Sequence, residues 1–192
     1  MVIKPNSKIA VLGDTHSADG VWIQELKVSL ENMGRADIEI FNCAKEGLLT
    51  SAANLDEVKK ISPDIVFIML GFCDITAPGD QNEKLSGFTI SLEKLLNDAE
   101  ESGIIPILST CPAVYGNSAE EISASAERAI PYCRVVGGLA KKHNVFLVEA
   151  NENFTVYALE CVLSGEPICK GNGALSENAE RELGKIIARE LF

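Results

Sequence analysis

Residues 63–74 read Pro63-Asp64-Ile65-Val66-Phe67-Ile68-Met69-Leu70-Gly71-Phe72-Cys73-Asp74, and the stretch from Asp64 to Leu70 decides the fold. From Ile65 to Leu70 every side chain is apolar, so neither face of the segment can meet water. A short continuous run of this kind, bounded by proline and glycine, predicts a strand buried on both faces of a parallel sheet. Upstream, Lys8 to Gly13 (KIAVLG) has the same character, and Ile38 to Phe41 is apolar at every second residue. Downstream, Ile104 to Leu108 and Val145 to Val148 supply a fourth and a fifth strand.

The segments between these runs carry helical spacing instead. Val21, Trp22, Leu26, Val28 and Leu30 recur through 16–33 ahead of Gly34, which predicts one helix there. A short helix is expected over Leu55 to Ile61, and a longer one over Leu85 to Ser102, where Phe88, Leu92, Leu95, Leu96 and Ala99 share a face. Ser118 and Glu121 have the spacing of a capping box for a helix running toward Lys142, which Pro131 is expected to kink or break. Helices over Phe154 to Leu163 and Ser176 to Leu191 close the chain. Strands alternating with helices in this order predict a three-layer α/β/α sandwich around a flavodoxin-like, parallel five-stranded sheet. With 192 residues and neither internal repeat nor linker, residues 1–192 are expected to form one domain.

Composition narrows the partners. The 17 lysines and arginines against 28 aspartates and glutamates leave a net charge of -11, which repels nucleic acid and anionic membrane surfaces. The opening MVIKPNSKIAVLGD holds an apolar run too short for a signal peptide, and no stretch is long enough to span a bilayer, so a cytoplasmic protein is expected. The partner expected is a small-molecule ligand or ester substrate, and a homo-oligomer stays open. Six cysteines without a CxxC pair read as free thiols of a reducing compartment. Four of them, Cys43, Cys73, Cys111 and Cys169, fall after strands or near the last helix, which leaves open a convergence at one pocket as a soft-metal or redox site.

Ligands of such sheets bind beyond the carboxyl ends of the strands. There the chain reads Gly13-Asp14-Thr15-His16, then Asn42-Cys43-Ala44-Lys45-Glu46-Gly47, then Gly71-Phe72-Cys73-Asp74. Together these segments resemble the blocks of the SGNH (GDSL-type) esterases and lipases: GDS after strand one, N-x-G-x-x-G after strand two and G-x-N-D after strand three. The resemblance implies the α/β/α fold, no cofactor or metal, and a serine triad. A block-one serine attacks an ester carbonyl, its own N–H, the block-two glycine N–H and the block-three asparagine hold the oxyanion, and a late D-x-x-H supplies base and orienting acid.

Carried over position by position, Thr15 stands at the nucleophile, Gly47 at the oxyanion glycine and Cys73 at the asparagine, while Gly171 and Ala174 stand at the aspartate and histidine. Only Gly47 is unchanged. Threonine keeps a hydroxyl but stiffens its own χ1, and a thiol is a weaker donor than an amide. No histidine follows His143, which precedes the fifth strand and is expected on the surface at the far edge of the sheet. His16 adjoins Thr15 but neighbouring side chains on a helix diverge. Asp14, His16, Asn42, Asp74 and Tyr115 are the ligand-contacting or loop-supporting candidates, the aspartates and Asn42 mainly as loop supports. The expected function is that of a diverged ester or acyl hydrolase with impaired or no activity. Two alternatives stay open: a module that binds a carbohydrate, acyl or phosphate ligand, and a weak esterase in which His16 serves Thr15.

Overall fold

The five apolar runs all become strands: β1 (Lys8–Gly13), β2 (Glu39–Asn42), β3 (Ile65–Met69), β4 (Ile105–Ser109) and β5 (Phe146–Val148). They are seen in a computed structural model that describes residues 3–170 and 174–192. Every neighbouring pair is parallel, in the order β2-β1-β3-β4-β5. This is the doubly wound flavodoxin-like order, in which the chain reverses direction across the sheet beside β1 and β3. β3 lies at the centre with all of its residues buried, which is why its sequence shows no alternation.

Alternate strand residues face opposite layers. Val11, Phe67 and Met69 pack with Trp22, Phe154 and Leu183 on one side, and Leu12, Val66 and Ile68 pack with Val58, Phe88 and Val136 on the other. The first layer holds α2 (Val21–Asn32), α7 (Ala150–Leu163) and α8 (Glu177–Leu191), and the second holds α3 (Asp56–Ile61), α5 (Gln81–Glu101) and α6 (Ala119–His143). Each fully buried large side chain stabilises this sandwich by about 1.5–3 kcal/mol. α2 and α8 meet backbone to backbone at Gly184, where a Cβ would collide with the Trp22 carbonyl oxygen and lie 2.8 Å from Glu25 Cβ. Among the described residues no helix is long and apolar enough to cross a membrane.

Several helices differ from expectation for local reasons. The helix expected after β1 is two, α1 (Thr15–Ala18) and α2, broken at Asp19-Gly20 where Gly20 takes φ +76°. The Trp22 indole N–H then donates to the Ser17 hydroxyl at 3.3 Å. The capping box at Ser118 and Glu121 forms as read, but α6 runs unbroken past Pro131. Proline in a helix removes one N–H bond to the residue four before it, here the exposed Glu127, whose carbonyl can turn to water instead. α5 starts earlier than its apolar spacing indicates because Asp80 caps it, accepting the N–H groups of Asn82 at 2.9 Å and Glu83 at 3.1 Å. A 3₁₀ turn at Thr50–Ala52 and the short helix α4 (Phe72–Thr76) lack any periodic signal and go unread in the sequence.

Candidate functional site

At the carboxyl edge of the sheet, the loops after β1, β2 and β3 are tied together by side chains that leave the cleft free. Asp14 follows β1 and is fully buried, its Oδ2 accepting the Gly71 N–H at 3.0 Å and the Cys73 N–H at 3.3 Å. Burial raises its pKa from 3.8 to about 6, against the pull of those two N–H groups. Asp74 accepts the Thr50 hydroxyl at 2.7 Å and the Thr50 N–H at 3.2 Å, holding the 3₁₀ turn to α4; burial raises its pKa as well. Asn42 donates through Nδ2 to the Ser17 carbonyl at 2.9 Å and accepts the Ala44 N–H at 3.0 Å. These three side chains clamp loops.

On that clamped floor the three segments meet at one hydroxyl. Thr15 Oγ1 accepts the Gly47 N–H at 3.0 Å and lies 3.3 Å from Cys73 Sγ. Burial raises the Cys73 pKa, so the sulfur is a neutral thiol at physiological pH and a weak partner for the hydroxyl. No other hydrogen bond joins Thr15 Oγ1 to a described side chain.

His16 stands next to it in the chain and lines the same cleft, but makes no hydrogen bond to it. Its ring is buried, lies against Phe72 with centroids 3.9 Å apart and planes tilted by 48°, and leaves Nε2 without a hydrogen-bond partner among the described residues. Burial lowers its pKa to about 4, so the imidazole is neutral at pH 7 and holds a proton poorly. His143 sits at the opposite edge of the sheet, as expected, but it is not an exposed surface group: its side chain is only 10% exposed, with Nδ1 3.1 Å from Glu100 and Nε2 3.4 Å from Glu93. Two acidic residues on the neighbouring α5 draw the ring in.

A cleft of about 650 Å³ opens above the floor, lined by Thr15, His16, Glu46, Phe72, Tyr115, Arg128 and Ala174 among others. Two other surface clefts, of about 590 and 690 Å³, lie between α6 and α7 and at the amino edge of the sheet beside His143. Size therefore does not single out a site, but position does, because only the first of these three holds residues that follow β1 and β3. Ala174 and Thr15 share its lining, which brings together the positions carried over for nucleophile and base; Gly171 lies outside the described residues.

The wall facing the floor is organised by Asn117, which the sequence reading passed over. Its Oδ1 accepts the N–H groups of Ile168 and Cys169, both at 2.8 Å, and its Nδ2 donates to the Cys169 carbonyl at 3.0 Å. The same reading missed Phe72, Glu46 and Arg128. Arg128 Nη1 donates to the Tyr115 hydroxyl at 3.2 Å with its guanidinium 5.8 Å from the ring centre, and Phe72 meets Tyr115 edge-on at 5.9 Å. Arg128 lies in the middle of a helix, where a charged residue reads as ordinary solvated surface. The open convergence of cysteines does not form a cluster: Cys111 and Cys169 are buried against different carbonyls, of Pro112 and Val114, all six thiols are free, and no group of three or more His, Cys, Asp or Glu among the described residues is arranged to hold a metal ion.

No protein-family model matches the chain, and no curated protein matches it significantly in sequence. Solved structures do match across nearly its whole length. A lipase/acylhydrolase from Enterococcus faecalis superposes with a TM-score of 0.76 at 20% identity, covering 96% of this chain and 95% of that one. The acetylxylan esterase Axe2 from Geobacillus stearothermophilus gives 0.78 at 20% identity, over 100% of this chain and 96% of that one. The fold is the SGNH-hydrolase fold. A further acetyl xylan esterase, AlAXEase, superposes at 0.75 with 18% identity, over 96% of this chain and 100% of that one. Catalytic mutants of Axe2 replace a serine, an aspartate or a histidine by alanine.

Proposed function

We propose that this chain is a diverged relative of the SGNH esterases and acylhydrolases that no longer hydrolyses esters and keeps the cleft at the carboxyl edge of its sheet as a small-molecule binding site. One observation carries the reading: among the described residues the hydroxyl at the nucleophile position hydrogen-bonds only to the Gly47 N–H and the Cys73 thiol, and the cleft wall above it presents Ala174. A hydroxyl becomes a nucleophile when a base removes its proton, and neither a backbone N–H nor a neutral thiol does that. His16 is the one imidazole near enough to consider. Its burial, its packing against Phe72 and its pKa of about 4 speak against service as a base at neutral pH.

The oxyanion side is weakened in the same direction. Replacing an amide donor by a thiol costs on the order of 10²–10³ in rate even where a triad is intact. The supports under the site are kept while the reacting groups are replaced, which fits a retained pocket better than a collapsed one. Hydrolysis of p-nitrophenyl acetate tests the proposal. The native chain and Thr15→Ala are expected to turn it over at the same rate, equal to buffer. Turnover by the native chain that Thr15→Ala abolishes contradicts the loss of hydrolysis.

A further inference from the structure

We infer that the ligand of this cleft carries a single carboxylate, received by Arg128 and the Tyr115 hydroxyl; the inference rests on the cleft being a binding site. Arg128 and Arg134 pair with no carboxylate among the described residues, whereas Arg35, Arg181 and Arg189 do, and of the two unpaired arginines only Arg128 lines this cleft. It is nevertheless held in place. Tyr115 accepts one guanidinium N–H and offers its ring to the cation, and among the described residues the other guanidinium donors and the phenolic hydrogen have no acceptor. Donors of both residues thus meet at one end of the cleft, the geometry that a planar carboxylate satisfies.

The position of Tyr115 is fixed from below. Gly116 takes φ +101°, and a Cβ there would run into the Glu121 side chain, which caps α6 by accepting the N–H groups of Asn117 at 2.9 Å and Ser118 at 3.1 Å. The cap that starts α6 therefore also sets the loop on which Tyr115 stands, and α6 itself carries Arg128. The guanidinium and its phenol are placed by one element before any ligand arrives, so little freedom is lost on binding.

The opposite end of the cleft has the opposite character. The order β2-β1-β3-β4-β5 puts Glu46, which follows β2, on one flank and the Tyr115 loop, which follows β4, on the other, with Thr15 and Phe72 between them. Arg128 is the only lysine or arginine lining the cleft among the described residues, and Glu46 the only carboxylate. One anionic group fits at the Arg128 end, and a second would meet the Glu46 charge. Between the ends Phe72, Ile75 and Ala77 offer an apolar middle.

The test pairs acids with their neutral isosteres. Benzoate, hexanoate and glucuronate are titrated against the labelled full chain, each beside its primary amide, and the Gly47 and Tyr115 backbone amide signals are followed by NMR. At least one acid is expected to bind more tightly than its amide, to weaken by about tenfold or more in Arg128→Gln, and to recover in part in Arg128→Lys, while a matched dianion such as phthalate binds less well than benzoate. Acid binding that Arg128→Gln leaves unchanged overturns the inference, as does phthalate binding as tightly as benzoate. Amides that move the Gly47 signal as strongly as the acids overturn it too but leave the cleft a binding site. If neither acids nor amides move that signal, the binding reading falls with it.

Discussion

The two sides of the cleft are built differently. The floor, made by the loops after β1, β2 and β3, is cross-tied by polar side chains: buried Asp14 to Gly71 and Cys73, buried Asp74 to Thr50, and exposed Asn42 to Ser17. The far wall, which holds Asn117, Ile168, Cys169 and Ala174 with Arg128 beside it, is tied by one asparagine, a helix cap and backbone hydrogen bonds of Lys170 to Ala174 and Ser176 to Ile168. The floor holds the Thr15 hydroxyl beside the Cys73 thiol, and the far wall brings Ala174 to the cleft. Support and chemistry are thus separable: clamps that fold the loops contribute to stability whether or not anything reacts above them.

Cutting a clamp should have the largest effect. Asp14→Ala leaves the buried Gly71 N–H and the partly buried Cys73 N–H without their acceptor, and is expected to cost about 3 kcal/mol in urea unfolding at pH 5. Ala174→Ser, on the far wall, is expected to stay within about 0.5 kcal/mol. Equal losses at the two positions would erase the distinction between floor and wall.

Titration sharpens the floor further, because two of its buried ionisable groups, His16 and Asp14, pull in opposite directions. The folded pKa of His16, about 4, lies below its ordinary 6.5, so the unfolded chain takes up the proton first and stability falls as pH drops from about 6.5 to about 4. The folded pKa of Asp14, about 6, lies above its ordinary 3.8, so stability rises as pH drops from about 6 to about 4. Each span is worth about 3 kcal/mol. The difference in unfolding free energy between the native chain and His16→Leu should therefore shrink on acidification, and that between the native chain and Asp14→Asn should grow. Flat difference curves would mean that neither side chain is buried as described.

The far wall has its own, smaller prediction. Asn117→Ala removes three hydrogen bonds to the 168–169 backbone and is expected to cost about 2 kcal/mol, with faster amide exchange confined to Ile168, Cys169 and their neighbours. Exchange that accelerates on the floor as well, at Gly71 or Gly47, would show the two sides to be one unit.

How far the sequence could be read follows the same division. All five strands were legible because buried parallel strands are continuous apolar runs, and Thr15, Gly47 and Cys73 were placed by the position of short motifs after those runs. The break at Asp19-Gly20, the passage of α6 through Pro131 and the start of α5 at Asp80 were not, since each depends on where tertiary packing needs the chain to turn or continue. Arg128 and Asn117 left no local signal at all. Their partners lie 13 and about 52 residues away, and only the folded chain brings them together.

Among the described residues no base reaches the Thr15 hydroxyl. Intact-mass analysis of the full chain after exposure to a fluorophosphonate probe at pH 7.5 tests it most directly. The account predicts an unchanged mass, the same as that of Thr15→Ala under the same treatment. A single phosphonyl adduct on Thr15, absent from Thr15→Ala, would contradict it.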